Sequence, residues 1–155
     1  MKLYETTLPS FYFTIQFPDE VIKPERKPEI VFLEISGIVT EITTETIEEG
    51  SLNSYVHIVP KNIRHGNLVS KSGLIAREST LADWCIKTLQ GDLSTLIERK
   101  TIQVQLKNEK EEVLCMWRFY DAYPAKWSVD EFNSTNNNIL VEYLEFAYSF
   151  STREK

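Results

Sequence analysis

Two histidines and two cysteines are the chain's strongest candidates for metal binding or nucleophilic chemistry, and neither pair is spaced for it. His57 sits in a run that alternates like a strand, and His65 stands just before a glycine. A zinc site needs two further ligands, and a general base needs a partner to orient it. Neither histidine has one nearby in sequence. Cys85 and Cys115 fall in apolar-patterned segments, where a small buried thiol is the ordinary arrangement. The remaining reactive groups are carboxylates. Glu41, Glu45, Glu48 and Glu49 belong to a stretch from Glu34 to Glu49 with five glutamates and no base. Paired carboxylates divide acid and base roles only when their environments differ. On a solvated strand they form an acidic face that keeps an edge soluble and steers partners. No phosphate-cradling glycine loop, GxSxG, HExxH or CxxC occurs. The expectation is a protein with no catalytic residues, no cofactor and no metal; an enzymatic reading rests on His57 with one of these glutamates.

Aromatic residues offer a different chemistry. Trp117, Phe119, Tyr120, Tyr123, Trp127 and Tyr143 could stack sugars or single-stranded nucleic acid, but such platforms interleave cations, and only Arg118 and Lys126 qualify. Core packing, or the floor of a pocket in a monomeric ligand-binding barrel, fits them better. The net charge of −6 and the lack of a basic run argue against gripping bare phosphate backbone.

These residues must be positioned by something, and 155 residues suffice for one domain with a real core. The expected unit is 1–155, its core about 9–150. At 42% hydrophobic and 12% aromatic the chain is not disordered, and no apolar run is long enough to span a membrane. Glu5 and Thr6-Thr7 interrupt the opening before a signal-peptide core forms, so cytoplasmic synthesis and assembly is expected.

Alternation at two residues per pleat dominates. Phe11, Phe13, Ile15 and Phe17 predict a strand with all four on one face, ended by Pro18-Asp19. Val21 to Pro28 reads as a solvated excursion before Ile30–Ile35 resumes extended structure. Crowded β-branched residues from Ile38 to Glu49 predict one strand of a long hairpin. Its tip is placed at Glu49-Gly50-Ser51-Leu52-Asn53, and its return runs from Tyr55 to Pro60. A short strand follows around Asn67–Ser70, between Gly66 and Gly73. Leu81, Trp84, Cys85, Thr88 and Leu89 predict the single helix, with Thr80 and Asp83 as a capping box and Gly91 as its stop. Strands are predicted at Thr101–Lys107 and Glu112–Tyr120, then a polar loop at Asn133–Asn138 and a last strand over Ile139–Phe150. This is a mainly β chain, barrel or sandwich. Apolar groups left on outer faces (Leu114, Met116, Tyr120, Tyr143, Tyr148) point to coverage by another subunit.

The C-terminal third carries a recognisable pattern. Trp117, Phe119, Ala122, Pro124, Lys126 and Trp127 form W-x-F-x-x-A-x-P-x-K-W, and Glu142, Leu144 and Glu145 belong to a closing stretch, Ile139 to Tyr148, that carries E-x-L-E-x-A. Together with Gly37, Gly73, Trp84 and Arg99–Ile102 in the same order, this resembles the inner-tube proteins of contractile phage tails and phage-tail-like injection systems, similar also to the type VI secretion tube protein. The resemblance implies an antiparallel β-barrel of two packed sheets, one flanking α-helix and a long protruding hairpin. It further implies a structural subunit of hexameric rings that stack into a hollow tube inside a sheath. The implied partners are further copies, tube paralogues, sheath, baseplate and spike proteins, and cargo in the lumen, with no specific nucleic acid and no membrane insertion. By the same resemblance the hairpin, with Glu45, Glu48, Glu49, Gly50, Leu52 and Tyr55, reaches the adjacent ring. Glu48-Glu49-Gly50, Val59-Pro60-Lys61 and Val69–Gly73 depart from the usual family pattern. Both a repeating tube subunit and a tube initiator remain open at this point.

Overall fold

Segments rich in β-branched and aromatic residues pair edge to edge until the sheet meets itself. The computed structural model describes residues 10–19, 30–48, 50, 55–72, 80–92, 94, 96–130 and 141–155. In chain order the elements are β1 (Phe11–Gln16), β2 (Val31–Ser36), β3 (Glu41–Ile47), β4 (His57–Arg64), β5 (Leu68–Ser72), α1 (Thr80–Gln90), β6 (Lys100–Asn108), β7 (Val113–Val129), β8 (Glu142–Ala147) and β9 (Phe150–Arg153). Six strands stand side by side as β6-β1-β2-β5-β8-β7, and β6 pairs with β7 to close an antiparallel barrel. β9 lies outside the ring on the edge of β7, while β3 and β4 form a separate ribbon. Following cross-strand partners from Cys115 through Leu106, Phe13, Phe32, Ser72 and Glu142 returns the path to β7 at Val129, near its far end. The strands are therefore steeply staggered, and the closing strand must be long enough to serve both ends.

Cross-strand partners share a face, and the inward partners make the core: Ile15 with Val104, Ile102 with Phe119, Leu68 with Phe146. Phe32, Phe119 and Phe146 are fully buried, each contributing about 2–3 kcal/mol by leaving water. The buried Ser70 hydroxyl donates to the Leu144 carbonyl at 3.1 Å, which removes the cost of placing it there. The predicted helix forms with Leu81, Ala82, Trp84 and Cys85 on its buried side, and Gly91 follows its end.

Several expectations need correction. Phe11 is exposed, whereas Tyr12 and Thr14 on the opposite face are buried, so β1 is covered on both faces and the four odd positions do not share one fate. The return strand does not stop at Pro60. It runs to Arg64, because Pro60 sits at an irregularity opposite Thr44 where the ladder shifts register, a place that tolerates a residue lacking an N–H. The short strand placed around Asn67–Ser70 runs on through Lys71 and Ser72, which lie within β5. The strand predicted to end at Tyr120 continues to Val129. Ile139–Phe150 is not one strand: β8 ends at Ala147, and β9 resumes alongside Trp117–Tyr120. Tyr148 belongs to the core, not to the outer surface. The expectations for Val21–Pro28, Glu49, Ser51–Asn53, Gly73, Asn133–Asn138 and Ile139-Leu140 lie outside the described residues.

Candidate assembly surface

Antiparallel order makes the two barrel ends unlike. The ends of β2, β6 and β8 and the starts of β1, β5 and β7 stand at one end. There the β3–β4 ribbon leaves from β2 and returns into β5. At the opposite end residues 96–99 lead into β6, and Trp84 of α1 meets Phe17 edge-on just past β1, ring centroids 5.4 Å apart.

The ribbon is an arm, since no other described element packs against it. Its register sorts its side chains into two faces. Ile42 opposite Ile63, Thr44 opposite Pro60 and Thr46 opposite Ile58 share one face. Ile42, Ile58 and Ile63 are 61%, 67% and 70% exposed. The other face brings Glu41 opposite Arg64, Thr43 opposite Asn62, Glu45 opposite Val59 and Ile47 opposite His57. The Thr43 hydroxyl and the Asn62 backbone exchange hydrogen bonds of 3.2 Å that brace the ribbon. Exposed β-branched residues against which no other described element packs form an apolar face of the kind that marks interaction surfaces.

Of the hairpin residues singled out from sequence, Glu45 and Glu48 are exposed, Tyr55 packs edge-on against His57 at 5.2 Å, and Gly50 has open space around it. Glu49 and Leu52 lie outside the described residues. Gly37, at the arm's root, has φ +86°, and a side chain there would meet the Asn67 carbonyl oxygen at 2.0 Å. Ile58 and Pro60 fall within the predicted hairpin without being singled out, and Ile63 lies beyond it, because Pro60 read as a strand end.

The recognised motif residues are scaffold. Two bulges interrupt β7, at Asp121 (φ +53°) and between Pro124 and Lys126. Each adds one residue and flips which alternate positions point inward. Trp117, Phe119, Ala122, Pro124 and Trp127 thereby all face the core. The Trp127 indole donates to Glu142 Oε2 at 3.2 Å, Leu144 is buried, and Glu145 accepts from Asn67 Nδ2 at 2.9 Å; Lys126 is exposed opposite Glu145. Both Trp117 and Trp127 are thus occupied in packing, where the ligand-binding alternative needs them to floor a cavity. Trp84 stacks on Phe146 at 5.9 Å and donates its indole N–H to the Glu98 carbonyl at 2.9 Å. Burial pushes the Cys85 thiol up to about 12. Among the described residues no group of three His, Cys, Asp or Glu side chains could hold a metal ion, and no helix is long and apolar enough to cross a membrane.

Solved structures share this architecture. A chain of the six-fold symmetrised anti-feeding prophage baseplate aligns with a TM-score of 0.73 at 21% identity, covering 92% of this chain and 91% of that one. A chain of the sheath–tube complex of the extracellular contractile injection system PVC aligns at 0.72 and 22%, covering 97% and 93%. Hcp1 from Flavobacterium johnsoniae aligns at 0.54 and 17%, covering 92% and 94%. No curated protein matches the chain. The sequence model for the T4-like virus tail tube protein gp19 matches residues 9–152, so nearly every element from β1 to β9 falls within it, and the chain belongs to that tail tube family.

Proposed function

We propose that this protein is the structural subunit of the inner tube of a contractile injection system, forming hexameric rings that stack into a hollow tube within a sheath, and that it catalyses no reaction. The observation that carries this reading is the two-ended barrel of a tail tube family member, with an arm at one end against which no other described element packs. A subunit whose ends differ associates head to tail, and such contacts repeat along an axis without two-fold closure. The arm reaches the adjacent ring, with Glu45, Glu48, Glu49, Gly50, Leu52 and Tyr55 in or beside the contact. Likeness to chains of a baseplate and of a sheath–tube complex supports sheath and baseplate proteins as partners; a spike protein is proposed on the family resemblance alone. The same subunit serves either as the repeating unit or as the initiating ring on the baseplate.

Negative-stain microscopy after size-exclusion chromatography tests the proposal. Rings and stacked tubes are expected at high concentration; long tubes from the protein alone mark the repeating unit, and single rings that lengthen only with a paralogue mark the initiator. A strictly monomeric species, unchanged by baseplate partners, overturns the reading.

A further inference from the structure

The arm needs a seat, and cyclic stacking requires that seat at the barrel's other end. Leu96 is fully exposed, and Ile97 beside it is 41% exposed. These adjacent apolar residues lie in the connection that enters β6 opposite the arm. The segment is fixed in place: the Glu98 carbonyl accepts from the Trp84 indole at 2.9 Å, and Lys100 Nζ stands 5.0 Å from the Phe17 ring centroid. An apolar pair held outward on an anchored backbone gains nothing within one copy.

Resting on the tube reading above, we propose that Leu96 and Ile97 form the seat for the Ile42–Ile58–Ile63 face of the arm from a second copy in the next ring. Charge favours the same match. The arm carries the exposed Glu48 just past the end of β3, whereas Glu45 lies on the face away from the isoleucines. Beside the pair, Glu98 is engaged by Lys100 at 3.8 Å, which leaves the exposed Arg99, 5.5 Å over the Tyr123 ring, to meet Glu48. Apolar burial supplies the attraction, and the acid–base match sets the register.

Two double variants test this. Leu96→Glu with Ile97→Glu spoils the seat and spares the arm; Ile58→Glu with Ile63→Glu does the reverse. All four side chains are exposed, so both variants are expected to keep the wild-type circular dichroism spectrum and to form rings. Each alone is expected to yield single rings. Mixed in equal amounts, they are expected to yield two-ring stacks that grow no further, because each mixture partner retains one working end. Seat-variant rings that stack as the wild type does, or a mixture that stays as single rings while the wild type stacks, overturn the seat and leave the tube reading standing. Wild-type protein that forms no rings overturns the tube reading, and the seat falls with it.

Discussion

The ring of His65 lies flat on that of Tyr148, 4.0 Å between centroids and 10° between planes, with Nε2 2.9 Å from the Ser149 carbonyl oxygen. His65 immediately follows β4, whereas Tyr148 and Ser149 occupy the break between β8 and β9. Tyr148 in turn packs edge-on against Phe119 in the core, centroids 4.8 Å apart. One side chain therefore ties the root of the arm to the barrel. An arm that packs against no other described element takes its direction from such fixtures.

Replacing His65 by Ala is expected to destabilise the fold by about 1–2 kcal/mol, from a lost aromatic stack and a lost hydrogen bond. His65→Phe should recover part of this, since it restores the stack alone. Urea denaturation reads both values. Ring stacking by the His65→Ala variant should fall more than its stability does, because the arm's direction is loosened as well.

The arm's root contains a second fixture, Gly37. Its φ of +86° disfavours any L side chain, and a Cβ would lie 2.0 Å from the Asn67 carbonyl oxygen. Gly37→Ala is therefore expected to cost more than the about 1–3 kcal/mol of backbone strain alone. At Asp121 the φ is also positive, but the side chain is exposed and aspartate tolerates this region. Asp121→Gly should be close to neutral, whereas Asp121→Val should cost about 1–2 kcal/mol. Thermal unfolding of the three variants separates the cases, and a benign Gly37→Ala would contradict the close approach to Asn67.

The bulge at Asp121 also explains how far the sequence could be read. Strand existence follows from alternation of residue type, and the alternating stretches at β1, β6 and the first half of β7 are strands, although β1 and β6 are covered on both faces. Beyond Tyr120 the inward positions run Phe119, Ala122, Pro124, Trp127, with steps of three wherever a bulge intervenes. A test for period two fails at each such step, although the strand continues. The family motif W-x-F-x-x-A-x-P-x-K-W is this bulged inward face written out, which is why it was recognisable as a pattern before it was intelligible as structure. Pro60 misled in the same way, since a register shift in the ribbon accommodates it. The helix was legible because Leu81, Trp84 and Cys85 keep strict helical spacing. The arm's apolar face was not, since it depends on which residues of β3 face which of β4, and Leu96-Ile97 has no periodic partner to betray its exposure.

Cys85 gives a pH prediction. Burial raises its thiol from 9.0 to about 12 in the folded chain. The unfolded thiol ionises above pH 9 while the folded one stays protonated, so unfolding releases a proton and stability falls as pH rises from 9 towards 12. The loss from this group approaches about 1.4 kcal/mol per pH unit within that window. Urea midpoints at pH 8 and pH 10.5 for wild type and Cys85→Ala isolate it: the variant should show the shallower decline. The buried thiol should also resist iodoacetamide in the native state, leaving the half-buried Cys115 to react first. Equal labelling of both cysteines in folded protein would count against this burial.

Trp84 joins three parts of the molecule, so its variants should separate packing from anchoring. Its ring stacks on Phe146 and meets Phe17, while its N–H holds the Glu98 carbonyl. Trp84→Ala removes both roles from a nearly fully buried site and should cost about 3–5 kcal/mol. Trp84→Phe keeps an aromatic ring but abandons the Glu98 carbonyl, at about 1 kcal/mol for the lost bond plus the smaller ring's packing deficit. That bond anchors the segment bearing Leu96 and Ile97, so the phenylalanine variant should fold, form rings and show faster hydrogen exchange at residues 96–99. Exchange there that matches the wild type would mean that Trp84 does not hold the segment, and the seat's rigidity would need another source.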